Sequence, residues 1–263
     1  MKNYIERLLT DEKIEYYGII PFDSCKVIND GLLSRLFESW KPKSVIVFLA
    51  PYYTGEYEEK NVSLYAVPRD YHLYFNDLYK RVTSQLEAKF EGYNFKGCAD
   101  HSPIAEVHAA ALGGLGVIGD CFQFINEKYG SYTFIGEIYT DIELEEYSLY
   151  DIDFCTHCGK CTSECPSPDH CLSDITQKKG ELNEREELLI INSRCAWGCD
   201  ICRTVCPMNE GVAYTPIDFF KSELKPCITS AEIEEMGKDE FSARAYSWRG
   251  KKTILRNLKL LKH

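Results

Sequence analysis

The chain has 263 residues, long for one compact domain and short for two full ones, so one main domain plus a smaller module is expected. Hydrophobic residues make up 44% and charged residues 27%, a balance that excludes a disordered chain. The formal charge of −11, from 30 basic and 41 acidic residues, argues against non-specific nucleic-acid binding.

The N-terminal stretch, residues 2–16, reads as helical and has neither an apolar signal core nor a small-residue cleavage site. Ser44 to Pro51 is a continuous β-branched and apolar run, which predicts a buried strand and is far too short to span a bilayer. No membrane association and a cytoplasmic location are therefore expected. His72 to Phe90 places Leu73, Leu78, Val82 and Leu86 at helical spacing and predicts a long helix. Pro103 suits the first turn of a helix running to about Leu112, which the glycine-rich run to Gly119 then ends. Cys121 to Asn126 and Ser131 to Thr140 read as two strands of a hairpin around Glu127–Gly130. Near the C-terminus, Ala231 to Glu235, Phe241 to Tyr246 and Lys251 to Leu261 look helical. Interleaved helices and strands give a fold class of α/β or α+β for the first domain.

Charge is distributed unevenly. Asp141 to Asp153 holds six acidic residues and no basic one, a natural boundary. Arg244 to His263 holds seven Lys/Arg and no acid. Such a tail is ordinarily a solvated helix face, and the alternative is a contact for phosphate on a cofactor or on RNA.

Thirteen cysteines in a reducing compartment point to metal rather than disulfides, and nine of them fall between Cys155 and Cys206. The first motif is Cys155-x2-Cys158-x2-Cys161-x3-Cys165-Pro166, the bacterial ferredoxin run. Three thiolates at two-residue gaps wrap one 4Fe–4S cube, and the fourth ligates the other cluster. The second motif, Cys199-x2-Cys202-x3-Cys206-Pro207, has Ala196 where its first cysteine belongs. By crossed ligation, one cluster takes Cys155, Cys158, Cys161 and Cys206. The other takes Cys165, Cys199, Cys202 and a fourth ligand that spacing leaves open between Cys171 and Cys195. Zinc, which needs four ligands and usually two spaced pairs, fits the run poorly. The remaining cysteines, Cys25, Cys98, Cys121 and Cys227 among them, read as small buried hydrophobes. The expected organisation is residues 1–150 as an α/β reductase domain, 151–212 as a ferredoxin-like module, and 213–263 as a helical segment packing back on the core.

At this point the chain resembles the epoxyqueuosine reductase family, relatives of the reductive dehalogenases. The matching blocks run in order: Tyr65-Ala66 with Arg69-Asp70-Tyr71-His72, Asp100 to Glu106, Ala111 to Gly119, Tyr129-Gly130-Ser131 to Gly136-Glu137 with Thr140-Asp141, Gly198 to Pro207 with Asn209, and Arg256-Asn257. The resemblance implies Cys171 as the open ligand, in the segment Cys171 to Thr176. It also implies a cobalamin held in the first domain, fed with electrons by the two clusters from an external low-potential donor. Glu106 falls on the position of the acid that protonates the substrate, a role that needs a raised pKa. Asp70, Tyr71, His72, Ser102, Pro103, Gly114, Gly116, Gly119, Ser131 and Arg256 are the implied cofactor contacts, the glycines by letting backbone approach the corrin.

Two departures stand out. Val107 and Asp120 replace basic residues common in the family, which removes positive charge where an RNA phosphate would want it. The sequence ends at His263, as in a short form without the family's C-terminal helical-repeat domain. Epoxyqueuosine in tRNA is the substrate the resemblance implies. A corrinoid reductase of another small molecule and a 4Fe–4S electron-transfer protein without corrinoid are the alternatives.

Overall fold

The structure, a computed structural model, describes residues 1–262. It divides into two compact units, neither of them contiguous in sequence. Unit one comprises Met1–Tyr52, Tyr74–Cys158 and Glu210–Ile217, and unit two comprises Tyr53–Leu73, Gly159–Asn209 and the chain from Asp218 onward. This differs from the three consecutive segments expected from sequence, and the reason lies in two short stretches. Residues 210–217 return to unit one, where the Ala213 amide donates to the Lys128 carbonyl and the Thr215 hydroxyl to the Pro51 carbonyl. Residues 53–73 belong to unit two, where the Ser63 amide donates to the Trp197 carbonyl.

Unit one contains α1 (Lys2–Asp11), β1 (Tyr17–Pro21), α2 (Asp30–Leu36), β2 (Ser44–Pro51), most of α3 (Tyr71–Lys89), β3 (Phe95–Cys98), α4 (Glu106–Leu112), β4 (Val117–Ile118), β5 (Phe124–Ile125) and β6 (Thr133–Thr140). Four strands form an antiparallel sheet in the order β1-β2-β6-β3. Every residue of β2 is buried, as its unbroken apolar run predicts, because the strand is central and both faces are covered. One face meets α4 through Val45, Val47, Leu49 and Tyr139, and the other meets the aromatic side chains of α3, Phe75 and Tyr79, at Phe48. The fold class is mixed α and β with antiparallel pairing, an α+β arrangement. The predicted helix from Pro103 begins only at Glu106, because the Pro103 carbonyl accepts from Ile28 and Asn29 and the Ala105 amide donates to Lys26. The predicted hairpin is also corrected: Phe124–Ile125 pairs with Val117–Ile118 instead of with β6. Asn126 enforces this, its amide donating to the Leu115 carbonyl while its oxygen accepts from the amides of Lys128 and Tyr129.

Unit two is built from short helices: α5 (Lys160–Ser163), α6 (Leu172–Gln177), α7 (Glu184–Ser193), α8 (Ile201–Thr204), α9 (Ser230–Glu235), α10 (Lys238–Ser242) and α11 (Lys251–Leu260). Leu172, Ile175 and Ile190 form a small core against Ile201 and Leu260. Two buried polar residues organise it. Asp200 accepts from Lys60 Nζ at 2.9 Å, Ser63 Oγ at 2.5 Å and the Leu64 amide at 2.8 Å, tying the second cysteine motif to residues 60–64. Burial acts to raise its pKa, but Lys60 and Arg203 outweigh that and hold it below the usual value. Asn257 on α11 donates to the carbonyls of Thr176 and Ala196 at 2.7 and 2.8 Å. Among the described residues no helix is long and apolar enough to cross a membrane.

Asn257→Ala leaves two buried carbonyls without a donor, so unit two should lose about 2–4 kcal/mol of stability. The check is the urea midpoint of unfolding, which falls while the m-value stays constant.

Candidate functional site

An acidic site stands at the edge of unit one where α4 starts. The loop Ala99–Ala105 connects β3 to α4, and Asp100 holds it in a left-handed turn, φ 62. Glu106, the first residue of α4, is half-buried, and its Oε1 accepts from the Asp100 amide at 2.7 Å. Burial first, then the charges of Glu137 and Asp100, push the Glu106 carboxyl up to about 8. Glu137 lies on β6 opposite Val47 on one side and Cys98 on the other, on the face that carries α4. It is fully buried, and its Oε2 accepts from Ser102 Oγ and Tyr139 Oη, each at 2.6 Å. Its Oε1 has no hydrogen-bond partner. Burial also holds Glu137 above the usual carboxylate range, against the two hydroxyls that favour its charge. Burial and the Glu137 charge raise the neighbouring thiols of Cys25 and Cys98 to about 12, so both stay protonated. Sequence reasoning noted Glu137 as part of a motif but gave it no role. The available signal was a lone acid inside an otherwise apolar strand.

The implied cofactor contacts have partners of their own. Ser102 donates to Glu137, and the buried Pro103 uses its carbonyl on Ile28 and Asn29. Asp70 accepts from the His72 amide, with the His72 ring nitrogen 2.8 Å from the same oxygen, and Tyr71 stacks on that ring. Arg256 donates to the carbonyls of Lys178 and Gly180 and to Asn257, which ties α11 to the segment after α6 within unit two. The glycines pack closely against the chain. A Cβ on Gly114 would strike the Tyr150 ring, one on Gly116 the Ile125 carbonyl, and one on Gly119 would press on Ile125 and Gln123. Close packing within the chain accounts for glycine at these positions. Ser131 is buried on the turn before β6. In unit one, Thr133 Oγ1 and His108 Nδ1 are buried without a partner, the kind of atom a bound amide-bearing group satisfies.

Cys155 and Cys158 end unit one, and Cys161, Cys165, Cys171, Cys199, Cys202 and Cys206 lie in unit two. Burial raises the Cys199 thiol, against a hydrogen bond from the Ile201 amide, and the charges of Asp200, Cys171 and Cys165 add to the rise. Cys195 turns away. Its sulfur donates to the carbonyls of Trp197 and Gly198, both at 3.3 Å, and burial pushes it up to about 12. Asp120, at one of the two departures from the family pattern, meets His157 at 2.7 Å, and with Cys155 their ligand atoms lie within 4.8 Å of one another. The basic tail is only partly solvated. Arg244 is buried and donates to the Glu223 carbonyl, and Lys251 donates to the carbonyls of Glu234 and Met236. Lys252, Lys259 and Lys262 remain exposed, and Arg249 lies over the exposed Trp248 ring at 3.6 Å.

The family model described as epoxyqueuosine reductase QueG, DUF1730, matches residues 36–101. An epoxyqueuosine reductase of Lactococcus garvieae is 27% identical over 98% of this chain and 85% of its own length. One from Listeria monocytogenes is 29% identical over 96% and 71%. Among solved structures, an epoxyqueuosine reductase from Streptococcus thermophilus superposes with a TM-score of 0.80 at 24% identity, over 99% of this chain and 80% of that one. One from Bacillus subtilis is described with an aspartate catalytic loop swung out of its active site, and another holds an epoxyqueuosine-modified tRNA stem loop. A catabolic reductive dehalogenase, of a kind described as B12-dependent, shares the fold at a TM-score of 0.52 over 36% of its length.

An acid that keeps its proton when folded and loses it when unfolded makes stability fall as pH rises from its ordinary pKa to the raised one. Here the window runs from roughly pH 5 to pH 8. The thermal midpoint should fall across it, and Glu106→Gln should flatten the fall, read by circular dichroism at constant ionic strength.

Proposed function

We propose, on the premise that this chain belongs with the epoxyqueuosine reductases, that it is an iron–sulfur oxidoreductase that reduces epoxyqueuosine in tRNA with the help of a corrinoid. The observation that carries this reading is the extent of the likeness. It covers 98% of the chain and 85% of a named epoxyqueuosine reductase, so the cysteine motifs and the acid-bearing loop both fall inside it. The chemistry of the donor set fits two 4Fe–4S clusters, held by Cys155, Cys158, Cys161 and Cys206 and by Cys165, Cys171, Cys199 and Cys202. The engagement of the Cys195 sulfur with two backbone carbonyls supports Cys171 as the fourth ligand. A corrinoid would be held mostly through backbone and apolar contacts, with Thr133 and His108 available to its amide arms. When bound, these groups supply low-potential electrons from an external donor for cleavage of a C–O bond.

The chain's own residues supply and hold the proton. Glu106 accepts the Asp100 amide on Oε1, which leaves Oε2 to carry the proton, and its raised pKa keeps that proton at neutral pH. The exposed Lys252, Lys259 and Lys262 offer the RNA phosphates a partner in a chain that is acidic overall. A second reading of the acid rests on the left-handed Asp100, which stands on a loop as the catalytic aspartate of the Bacillus subtilis relative does. In that reading Asp100 donates the proton and Glu106 anchors its amide. A second reading of the whole, an electron carrier without corrinoid, draws on the glycines between Gly114 and Gly119, whose open sides the chain fills itself.

Anaerobic reconstitution followed by cob(II)alamin, desalting and EPR separates the readings. About eight irons and one retained cobalt per chain support the reductase, and about eight irons without cobalt the electron carrier. Cys171→Ser should cost about four of those irons, whereas Cys195→Ser should keep them all. In turnover of epoxyqueuosine-modified tRNA, Glu106→Gln should slow the reaction on the order of 10²-fold with metal content unchanged. If Asp100→Asn abolishes turnover while Glu106→Gln barely changes it, the proton comes from Asp100.

A further inference from the structure

Of the three tryptophans in the chain, packing accounts for two. Trp197 is fully buried and its indole nitrogen donates to the Tyr65 hydroxyl at 2.9 Å, while Trp40 packs edge-on against Phe37 with ring centroids 4.7 Å apart. Trp248 stands on a short helical turn, Ser247–Arg249, just before α11, and 57% of it is exposed. Leaving so large an apolar ring in water forgoes the free energy of burying it. The ring is nevertheless fixed from one side, because the Arg249 guanidinium lies over it, 3.6 Å from the centroid. Among the described residues that guanidinium makes no hydrogen bond or ion pair, and its Nε is buried without a partner. In a chain with 41 acidic residues, this cation meets an indole instead of a carboxylate. The helix that follows is polar on one side only. Lys252 and Lys259 are seven positions apart, so they project from α11 in nearly the same direction. Both are exposed, whereas Thr253, Ile254, Asn257 and Leu258 bury the opposite face. The first turn of α11 holds no acid to neutralise them.

We propose that Trp248 and Arg249 form a stacking platform for an unpaired base of an RNA loop, with Lys252 and Lys259 taking the adjacent phosphates. This rests on the reading of the chain as acting on tRNA, and it names what the RNA touches in unit two. Chemistry selects the occupant. Each nucleotide offers a flat π face at one end and an anionic phosphate at the other, and an indole stacked with a guanidinium beside a row of lysines matches both. A duplex hides its base faces inside its own stack, so the ring distinguishes an unpaired loop from a duplex, whereas the lysines do not. Charge selects the place. The chain carries −11 overall and repels a polyanion over most of its surface, but Arg244 to His263 holds seven Lys/Arg and no acid.

The test is binding of two fluorescein-labelled RNAs to the iron–sulfur-loaded chain, followed by anisotropy at low salt. One RNA is a hairpin with an unpaired loop, and the other is a blunt duplex of the same stem. Trp248→Ala should weaken hairpin binding about tenfold or more and leave duplex binding unchanged, and Trp248→Phe should restore most of the loss. Lys252→Gln should weaken both RNAs alike and lower the slope of log affinity against log salt by about one. Iron content and the unfolding midpoint check that each variant is folded. A hairpin that the unaltered chain does not bind overturns the proposal, and so does a hairpin bound equally well by Trp248→Ala. A dimer in sedimentation, or a complex with anionic phosphatidylglycerol vesicles in flotation, that Trp248→Ala dissolves while hairpin binding persists overturns it too, and assigns the platform to a second copy or to a membrane. Binding needs neither cobalt nor turnover, so the two readings fail separately. Hairpin binding through Trp248 in a chain that retains no cobalt keeps the platform and removes the corrinoid. Hairpin binding indifferent to Trp248 in a chain that turns over modified tRNA removes the platform and keeps the reductase.

Discussion

Glu137 stands in the middle of a sheet with water excluded, and the arrangement of unit one follows from how that carboxyl is accommodated. Two hydroxyls satisfy one oxygen, and burial keeps the group within reach of its neutral form. The loop before α4 is fastened from both ends as a result. Its serine reaches inward to Glu137, and its aspartate amide reaches across to Glu106. The close approach of α4 makes this possible. A Cβ on Gly18 would collide with the Gly113 carbonyl, and one on Gly113 with Val47, so the end of the helix rests directly on β1 and β2. Chemistry at the helix start depends on packing at the helix end.

Unit two solves the same problem in the opposite way. Asp200 is buried too, but Lys60 and Arg203 face it, and it stays ionised. Its role is structural: it fastens the segment between Cys199 and Cys202 to residues 60–64. One buried acid is stabilised by cations and holds a fixed charge. The other meets hydroxyls instead, and burial holds it above the usual carboxylate range.

The sequence was legible where a pattern is long or chemically exclusive. The buried strand β2, the long helix α3 and the terminal helix α11 follow from apolar periodicity over many residues. The ferredoxin run follows from spacings that few other chemistries share. Short elements were not legible. β1 and β3 are five and four residues long, and their strand character comes from pairing with β2 and β6, which no local window contains. Phe124–Ile125 pairs away from β6 because one side chain, Asn126, takes the Leu115 carbonyl, a non-local preference. At the candidate site, resemblance singled out Glu106, whereas the buried carboxyl of Glu137 had no local signal beyond its place in an apolar strand. Facing groups on a strand and a helix 31 positions apart become neighbours only once the sheet register is known. The glycine run and Arg256 also serve internal packing, and residues demanded by packing look in sequence like residues demanded by a ligand.

The interleaving of the two units has a consequence for synthesis. Translation runs from the N-terminus to the C-terminus, so unit one lacks its last stretch until Ile217 has been added. By then every cysteine from Cys155 to Cys206 has been made. Thr215 and Ala213, whose bonds close unit one, follow the second cysteine motif by only a few residues. The nascent protein therefore carries the cysteines of both motifs before its first unit is complete, so those thiols are in place while the chain is still folding.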